Sequence, residues 1–263
     1  MVLEVAGSNP VHHPKFFSLG FIYQTDLPQD GTRTSDIIAD MTLLLTSNGI
    51  KGKIADIFPT LLHKPSSEYS VAFDTTAAYG DEDNPQWFGK FRDQLYKQGI
   101  TNIDDLDLRN INQEKLEKLL STKDMLFVNG GNTFFLLYWM RKSGFGVALK
   151  NFLSDDKLYV GVSAGGIVVT PTISIAGVEP GDANNVGMQD FTGLSTVDFE
   201  FSPHVPDMVS YMSVEEYSKI TPNKIYSVDD YTAVLVQDDK VNIIGDGKYK
   251  IYNENLHKLA KLV

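Results

Sequence analysis

The sequence has no cysteine and few arginines, and each of these shortages excludes certain kinds of functional site. Without cysteine, the 263-residue chain forms no disulfide, uses no thiol nucleophile and ligates neither zinc nor an iron–sulfur cluster through thiolates. Its four arginines all lie at or before position 141. The chain beyond position 141 therefore has no guanidinium group that could clamp a carboxylate with two parallel hydrogen bonds.

Basic residues in general are outnumbered, and long apolar runs are missing. The chain has 34 acidic and 23 basic side chains, a formal net charge of −11. Because phosphate backbones and anionic lipids repel such a chain, we expect no nucleic-acid or membrane partner. The longest apolar run, Phe134 to Met140, is far shorter than the about 18 residues of a membrane span. With no signal-peptide pattern at its N-terminus, the chain is predicted to be cytoplasmic.

The pattern of the chain changes near residue 40. Residues 1–40 lack periodicity, and we interpret them as an N-terminal extension of a domain formed by residues 41–263. In that domain, short apolar runs alternate with helical spacing and tight turns. This alternation favours an α/β fold with a mostly parallel sheet and helices on both faces. After residue 170, six short apolar runs separated by turns predict a strand-rich C-terminal part, and the first of them is 172–176.

The pentapeptide Gly161-Val162-Ser163-Ala164-Gly165 supplies a candidate nucleophile. It follows an apolar run and matches the G-x-S-x-G turn that lifts a serine hydroxyl out of a sheet. Its two glycines permit the strained backbone of that turn. A glycine-rich connection without chemistry gives the same pattern, so the pentapeptide alone leaves both interpretations open.

A second glycine-rich turn follows the neighbouring predicted strand. Parallel sheets carry their sites at the carboxyl ends of strands, so Gly130 and Gly131 are expected beside Ser163. The backbone amides of Gly131 and Ala164 are predicted to form an oxyanion hole. Asn132 is predicted to cap the next helix and to lie at the substrate-binding edge. The alternative is a turn with no chemical role.

A serine nucleophile needs a base, and His204 is the best placed of five histidines. It lies at the end of a predicted strand, downstream of Ser163, whereas the other four are predicted to be surface residues: His12, His13, His63 and His257. Glu179 and Asp182 are the candidate acids that would orient its imidazole, and the sequence does not choose between them. Three further carboxylates close to His204 in the chain are held in reserve: Asp198, Glu200 and Asp207.

Together these segments resemble the peptidase S51 family, the group of dipeptidase E (aspartyl dipeptidase) and cyanophycinase. The resemblance runs from about residue 41 to about residue 250 and is carried, in order, by Leu43–Gly49, Gly130–Phe134, Gly161–Gly166, Pro171–Ile173, Phe191–Leu194, Val197–Phe199 and Pro203–His204. It implies a fold like that of class I glutamine amidotransferases, with serine in place of their cysteine. It also implies a serine peptidase that uses no metal or cofactor.

The resemblance implies roles for single residues as well. Ser163 corresponds to the family nucleophile and His204 to its base, while the amides of Gly131 and Ala164 correspond to the oxyanion hole. The acidic member is implied to fall in the loop that holds the two candidates named above. Aspartyl dipeptidases take an acidic N-terminal residue through an arginine after the histidine, which this chain lacks. The nearest downstream cations are lysines, at positions 219 and 224.

The leading hypothesis is therefore a serine exopeptidase that hydrolyses short peptides, with N-terminal Asp-X dipeptides as one candidate substrate and a homodimer left open. One alternative is an α/β-hydrolase esterase that uses Ser163, an acid at Asp229 or Asp230, and His257. Another is a catalytically inactive binding or sensing protein that keeps the family fold.

Overall fold

The structure is a computed structural model, and it describes residues 41–83, 85–205, 208–237 and 240–254. All of these belong to one of the two units into which the chain divides, residues 35–263. The extension predicted for residues 1–40 lies outside the described residues, as do His12, His13, Asp207 and His257.

Ten strands form two sheets. The strands are β1 (Thr42–Thr46), β2 (Ser70–Asp74), β3 (Asn102–Leu106), β4 (Met125–Val128), β5 (Leu158–Val162), β6 (Glu200–Ser202), β7 (Ile225–Val228), β8 (Thr232–Gln237), β9 (Lys240–Gly245) and β10 (Tyr249–Tyr252). The larger sheet has the order β3-β2-β4-β5-β1-β8-β9, and its first five strands are parallel. Strands β8 and β9 continue it in antiparallel fashion. The smaller sheet has the order β10-β7-β6.

Seven α-helices and several short 3-10 turns connect the strands in the described ranges. The helices are α1 (Lys53–Ile57), α2 (Gly89–Lys97), α3 (Gln113–Ser121), α4 (Thr133–Ser143), α5 (Phe145–Leu153), α6 (Ala164–Ile167) and α7 (Met208–Ser218). The 3-10 turns span Phe58–Leu61, Ser66–Glu68, Thr76–Gly80, Leu108–Asn110 and Ser174–Gly177. None of the helices in these ranges is long and apolar enough to cross a bilayer.

Alternate residues of the central strands enter two separate hydrophobic cores. In β1, Leu43 and Leu45 pack with α3 to α6 on one face, and Leu44 packs with α1 and α2 on the other. In β5, Tyr159 and Val160 divide between the faces in the same way. Because both faces are covered, every residue of β1 and β5 is buried. This explains the continuous apolar runs of the sequence and confirms the predicted mostly parallel sheet with helices on both faces.

The C-terminal part is rich in strands, as predicted, with one local exception. The apolar run 172–176 predicts a strand. It instead makes a single bridge, Thr172 with Thr192, and then enters the 3-10 turn Ser174–Gly177. Hydroxyl contacts favour this turn, because the Thr172 Oγ1 accepts a hydrogen bond from the Ser174 amide at 3.1 Å.

Candidate active site

Ser163 occupies a strained turn between β5 and α6. Its φ and ψ are 52° and −112°, a left-handed conformation that non-glycine residues rarely adopt. Its amide donates to the Thr46 carbonyl at 2.8 Å, and its own carbonyl accepts from Gly166 and Ile167 at 2.8 and 3.0 Å. Backbone strain of this kind persists only where surrounding contacts stabilise it. These hydrogen bonds therefore hold the Ser163 turn in its strained conformation.

The turn after β4 lies directly against Ser163. A Cβ atom added to Gly130 would lie 3.0 Å from the Ser163 Cβ and 3.6 Å from its Oγ. Gly131 has a φ of 130°, and a Cβ there would lie 2.4 Å from the Ala77 carbonyl carbon and oxygen. Glycine is therefore required at 131 for both conformation and space. Ala164, the first residue of α6, is fully buried beside Ser163.

Asn132, predicted to cap α4, does so. Its Oδ1 accepts from the Phe135 amide at 2.9 Å, and its Nδ2 donates to the Asp81 carboxylate at 3.0 Å and the Ala183 carbonyl at 2.8 Å. With three partners and only 1% of its surface exposed, this side chain is fully engaged in joining three segments. Its bonds are those of a structural residue that holds the Gly130-Gly131 turn in place.

His204 follows β6 and also has a left-handed backbone, with a φ of 57°. Its amide donates to Ser47 Oγ at 3.1 Å, which fixes it against the carboxyl end of β1. Its ring is half exposed, and Nδ1 lies 2.7 Å from Asp230 Oδ1. The imidazole is therefore held through one nitrogen by a carboxylate.

The carboxylate hydrogen-bonded to His204 is thus Asp230, which corrects the expectation that Glu179 or Asp182 occupies this position. The other oxygen of Asp230 accepts from Asn48 Nδ2 at 2.8 Å, and Lys51 Nζ lies 3.6 Å from it. Burial alone would raise the pKa of Asp230. The hydrogen bonds from His204 and Asn48, with the nearby positive charges, outweigh burial and lower this pKa.

Strand register explains why Asp230 and His204 meet. Strands β6 and β7 are parallel, and Ser202 pairs with Ser227. Two residues beyond that pair, the chain reaches His204 on one side and Asp229 on the other, and Asp230 follows immediately. The sequence contained this signal, since an apolar run precedes each residue. The esterase alternative instead pairs Asp229 or Asp230 with His257, which lies outside the described residues.

Glu179 and Asp182 lie elsewhere in the same site. Both line a cavity of about 150 Å³ that Ser163 and His204 also line. Asp182 accepts a hydrogen bond from the Thr133 amide at 2.7 Å. Burial raises the pKa of Asp182, although its contacts with Thr133 partly oppose this shift. The remaining cavity wall is largely apolar and includes Ile167, Ile175, Ala176, Val178, Val205 and Val214.

Of the three carboxylates held in reserve as possible acids, the structure describes Asp198 and Glu200. Neither of them lines this cavity, and neither does His63. Glu200 is fully buried and accepts from Tyr217, Thr221 and Asn223, so it ties α7 to β6. Asp198 is exposed, and His63 lies near Asp156 on the surface.

The described lining of the cavity contains no lysine and no arginine. The three described arginines pair with carboxylates outside the lining: Arg92 with Asp105, Arg109 with Asp107 and Arg141 with Asp190. Lys219 pairs with Glu216, and Lys224 Nζ donates to the Tyr226 hydroxyl at 3.0 Å. Among the described residues, no group of three or more carboxylates and imidazoles is arranged to hold a metal ion.

Comparison with known proteins gives consistent relatives. The chain is 27% identical over 205 residues to the uncharacterized peptidase PM1590 of Pasteurella multocida, covering 76% of this chain and 97% of that protein. It is 25% identical over 142 residues to peptidase E of a Nostoc species, covering 51% of this chain and 57% of the relative.

Solved structures share the fold. A protein of Listeria monocytogenes assigned as a candidate peptidase E superimposes with a TM-score of 0.68 at 24% identity, covering 80% of this chain and all (100%) of that one. A peptidase from an acI-B1 actinobacterium gives a TM-score of 0.64 at 15% identity, covering 82% and 92% of the two chains. These neighbours have the class I glutamine amidotransferase-like fold predicted for this chain.

The sequence model of peptidase family S51 matches residues 43–244, which includes both glycine-rich turns, Ser163, His204 and Asp230. The chain belongs to peptidase family S51.

Proposed function

We propose that this peptidase is a serine exopeptidase that hydrolyses short peptides. The observation that carries the proposal is one small cavity lined by both Ser163, on its strained turn, and His204, whose Nδ1 is held by Asp230. A nucleophile, a base and an orienting acid are the three parts that acyl transfer by serine requires.

In the proposed first step, Ser163 Oγ attacks the carbonyl carbon of the scissile bond while His204 Nε2 takes the hydroxyl proton. The carbonyl oxygen gains the negative charge, and the amides of Gly131 and Ala164 stabilise it. When the C–N bond breaks, His204 gives its proton to the leaving amine and an acyl-serine remains. Water, deprotonated by the same imidazole, then attacks the acyl carbon and releases Ser163.

Asp230 acts through His204 in this scheme. Its carboxylate accepts the Nδ1 proton, which leaves Nε2 as the basic nitrogen and stabilises the imidazolium when it forms. The lowered pKa of Asp230 keeps the carboxylate ionised throughout the neutral range. Hydrogen bonds to Asn48 and the proximity of Lys51 hold it in this state.

The size and charge of the cavity indicate which substrates it can bind. A volume of about 150 Å³ suits a short peptide rather than a folded chain. An N-terminal aspartate would meet two carboxylates, Glu179 and Asp182, and no arginine or lysine in the described lining. We therefore propose a short-peptide exopeptidase without the Asp-X preference.

The test is mass-spectrometric hydrolysis of a mixed dipeptide and tripeptide library by the wild type and by Ser163→Ala. Loss of the serine should lower the rate by about 10⁴-fold or more, because oxyanion stabilisation and binding alone provide little turnover. Ser154→Ala removes an exposed hydroxyl that bonds only its own helix, and it should leave the rate unchanged. Hydrolysis that survives in Ser163→Ala would contradict the proposal. Binding without hydrolysis in the wild type would favour the sensing alternative.

A further inference from the structure

The glycine turn beside Ser163 packs against the 3-10 turn Thr76–Gly80, which follows β2 and which we call the support turn. A Cβ atom on Gly131 would lie 2.4 Å from the Ala77 carbonyl atoms, so the two backbones are in direct contact. The Asn132 amide also donates to the Ala77 carbonyl at 3.0 Å. The position of the proposed oxyanion hole therefore depends on the support turn.

Asp74, the last residue of β2, bonds both to the support turn and to the chain that leads into the glycine turn. Its Oδ1 accepts from the Thr76 amide and hydroxyl at 2.9 and 2.5 Å, which fixes the start of the support turn. Its carbonyl oxygen accepts from the amide and the Nδ2 of Asn129, at 3.0 and 2.6 Å. Asn129 immediately precedes Gly130. One residue therefore ties the glycine turn and its support together.

The hydrogen bonds of the Asp74 side chain fit a carboxylic acid rather than a carboxylate. The Thr76 hydroxyl accepts from the Leu108 amide at 2.8 Å and donates its own proton to Asp74 Oδ1. Oδ1 thus has two donors, whereas Oδ2 has none in the part of the chain that the structure describes, and Asp74 is only 1% exposed. A negative charge shared with Oδ2 would be buried without a donor, which is costly, and a proton on Oδ2 removes that charge.

The charged and titratable groups around Asp74 also favour its neutral form. Asp107 repels a negative charge on Asp74, and Arg109, two residues further along the chain, donates to both oxygens of Asp107. The Tyr159 hydroxyl, which interacts with Asp74, stays neutral and donates to the Gly165 carbonyl at 2.7 Å. Burial, with a smaller contribution from Asp107, raises the pKa of Asp74 to about 7.

We propose that Asp74 is a positioning residue of the peptidase, which in its protonated form holds the Gly130-Gly131 turn in place beside Ser163. The inference rests on the proposed function, and it concerns a residue outside the described cavity lining. When Asp74 loses its proton, the buried charge needs water or a donor, and the support turn has to move to provide one. Because Gly131 packs on that turn, the oxyanion hole loses its geometry. The hydrolysis rate should therefore fall as the pH rises through about 7.

The pH profile of kcat separates Asp74 from His204, because the two groups act with opposite signs. His204 must be neutral to accept a proton, so its ionisation limits the rate at low pH. Asp74 must be protonated, so its ionisation limits the rate at high pH. We expect kcat of the wild type to fall by up to tenfold for each pH unit above about 7. Asp74→Asn, which keeps an oxygen for Thr76 and cannot ionise, should remove that fall, whereas any ionisation of the substrate acts equally on both enzymes.

Asp74→Ala separates positioning from substrate binding. It removes the acceptor of both Thr76 bonds, so kcat should fall by about 100-fold and KM should stay within about threefold, because oxyanion donors act in the transition state. Asp74→Asn should recover most of this loss at pH 6. Asp56→Asn, which changes an exposed carboxylate, should leave the whole profile unchanged. Coinciding profiles of the wild type and Asp74→Asn would overturn the inference, and so would an effect of Asp74→Ala on KM alone.

Amide hydrogen exchange of residues 129–133 tests the same role without a substrate. Helix α3 serves as the reference, because it reports any change in the stability of the whole domain. Between pH 6 and pH 8, after correction for the intrinsic exchange rate, residues 129–133 of the wild type should lose about tenfold more protection than α3. In Asp74→Asn the two segments should change equally.

The two measurements distinguish failure of this inference from failure of the proposed function. If residues 129–133 lose protection as expected and no peptide is hydrolysed, the positioning role of Asp74 stands and the proposed function fails. If hydrolysis depends on Ser163 but residues 129–133 and α3 lose protection equally in the wild type, Asp74 is merely structural. The inference is then overturned, and the peptidase proposal stands.

Discussion

At the scale of single residues, burial and backbone strain indicate which side chains have a chemical role. Ser163 and His204 are two of the five described non-glycine residues with a positive φ, and both line the same cavity. Strained backbone at two residues that line one cavity marks a functional site better than either residue type alone. The Ser163 elbow could be predicted from the sequence because its glycines have a local pattern. The left-handed conformation of His204 could not, because it depends on bonds to β1 and β7.

Asp74 is a second residue with an unusual environment, at the end of β2. Its Oδ1 accepts from the Thr76 amide and hydroxyl at 2.9 and 2.5 Å, while Oδ2 has no partner among the described residues. Burial raises its pKa from 3.8 to about 7. The folded protein therefore binds this proton more tightly than the unfolded chain does.

The sign of the resulting pH dependence follows directly. Between about pH 4 and pH 7 the unfolded chain has lost the proton and the folded protein keeps it, so the unfolding free energy falls as pH rises. From pH 5 to pH 8 the loss due to Asp74 should be about 3 kcal/mol. Urea unfolding at both values tests this. Asp74→Asn should remove that part of the slope, and Asp56→Asn, an exposed carboxylate, should not. Parallel slopes for the wild type and Asp74→Asn would contradict the assignment.

At the scale of elements, loops at the carboxyl ends of strands build the site. Ser47 and Asn48 follow β1, Gly131 follows β4, and Ser163 follows β5, and these strands are neighbours in the larger sheet. His204 and Asp230 follow the parallel pair β6 and β7 of the smaller sheet. The carboxyl ends of parallel strands in two sheets therefore supply these six residues.

The Gly130-Gly131 turn permits a direct test at this scale. Gly131→Ala places a methyl group 2.4 Å from the Ala77 carbonyl atoms at a φ of 130°. We expect a destabilisation of about 1–3 kcal/mol and a larger loss of activity, because the turn beside Ser163 must shift to relieve the clash with Ala77. Gly187→Ala is the matched control: its φ is 66°, and no atom lies within 4 Å of the added methyl group. It should cost stability alone. Full activity in Gly131→Ala would show that the turn does not contribute to catalysis.

Sequence patterns predicted some of these elements and contacts correctly and missed others. The buried strands β1, β4 and β5 and the helix after Asn132 follow from apolar runs and a capping residue, which act locally. The spacing of Trp87, Phe88, Phe91 and Leu95 predicts a helix that opens at Asn84-Pro85. Helix α2 instead begins at Gly89, because residues 86–88 form a hydrogen-bonded turn before it. The partner of His204 was missed for another reason. Twenty-six residues separate His204 from Asp230, and only the pairing of β6 with β7 brings them together.

At the scale of the whole molecule, the acidic character of the chain extends into its cavity. The net charge is −11, and the described lining of the cavity at Ser163 and His204 has two carboxylates and no lysine or arginine. The scarcity of arginine, evident from the sequence, thus has a structural counterpart at the site. Composition predicted that an arginine clamp for acidic substrates was missing. It could not predict that two carboxylates line the cavity instead, because residues 179 and 182 come together with Ser163 and His204 only in the folded chain.

The central claim is that Ser163, His204 and Asp230 act as one catalytic unit. The most direct measurement is kcat for peptide hydrolysis by Ser163→Ala, Asp230→Asn and the double variant. We predict that Asp230→Asn alone lowers kcat by about 10²–10⁴-fold, and that the double variant is no slower than Ser163→Ala. If Asp230→Asn hydrolyses peptides at the wild-type rate, or lowers kcat by the same factor with and without Ser163, Asp230 does not belong to the unit.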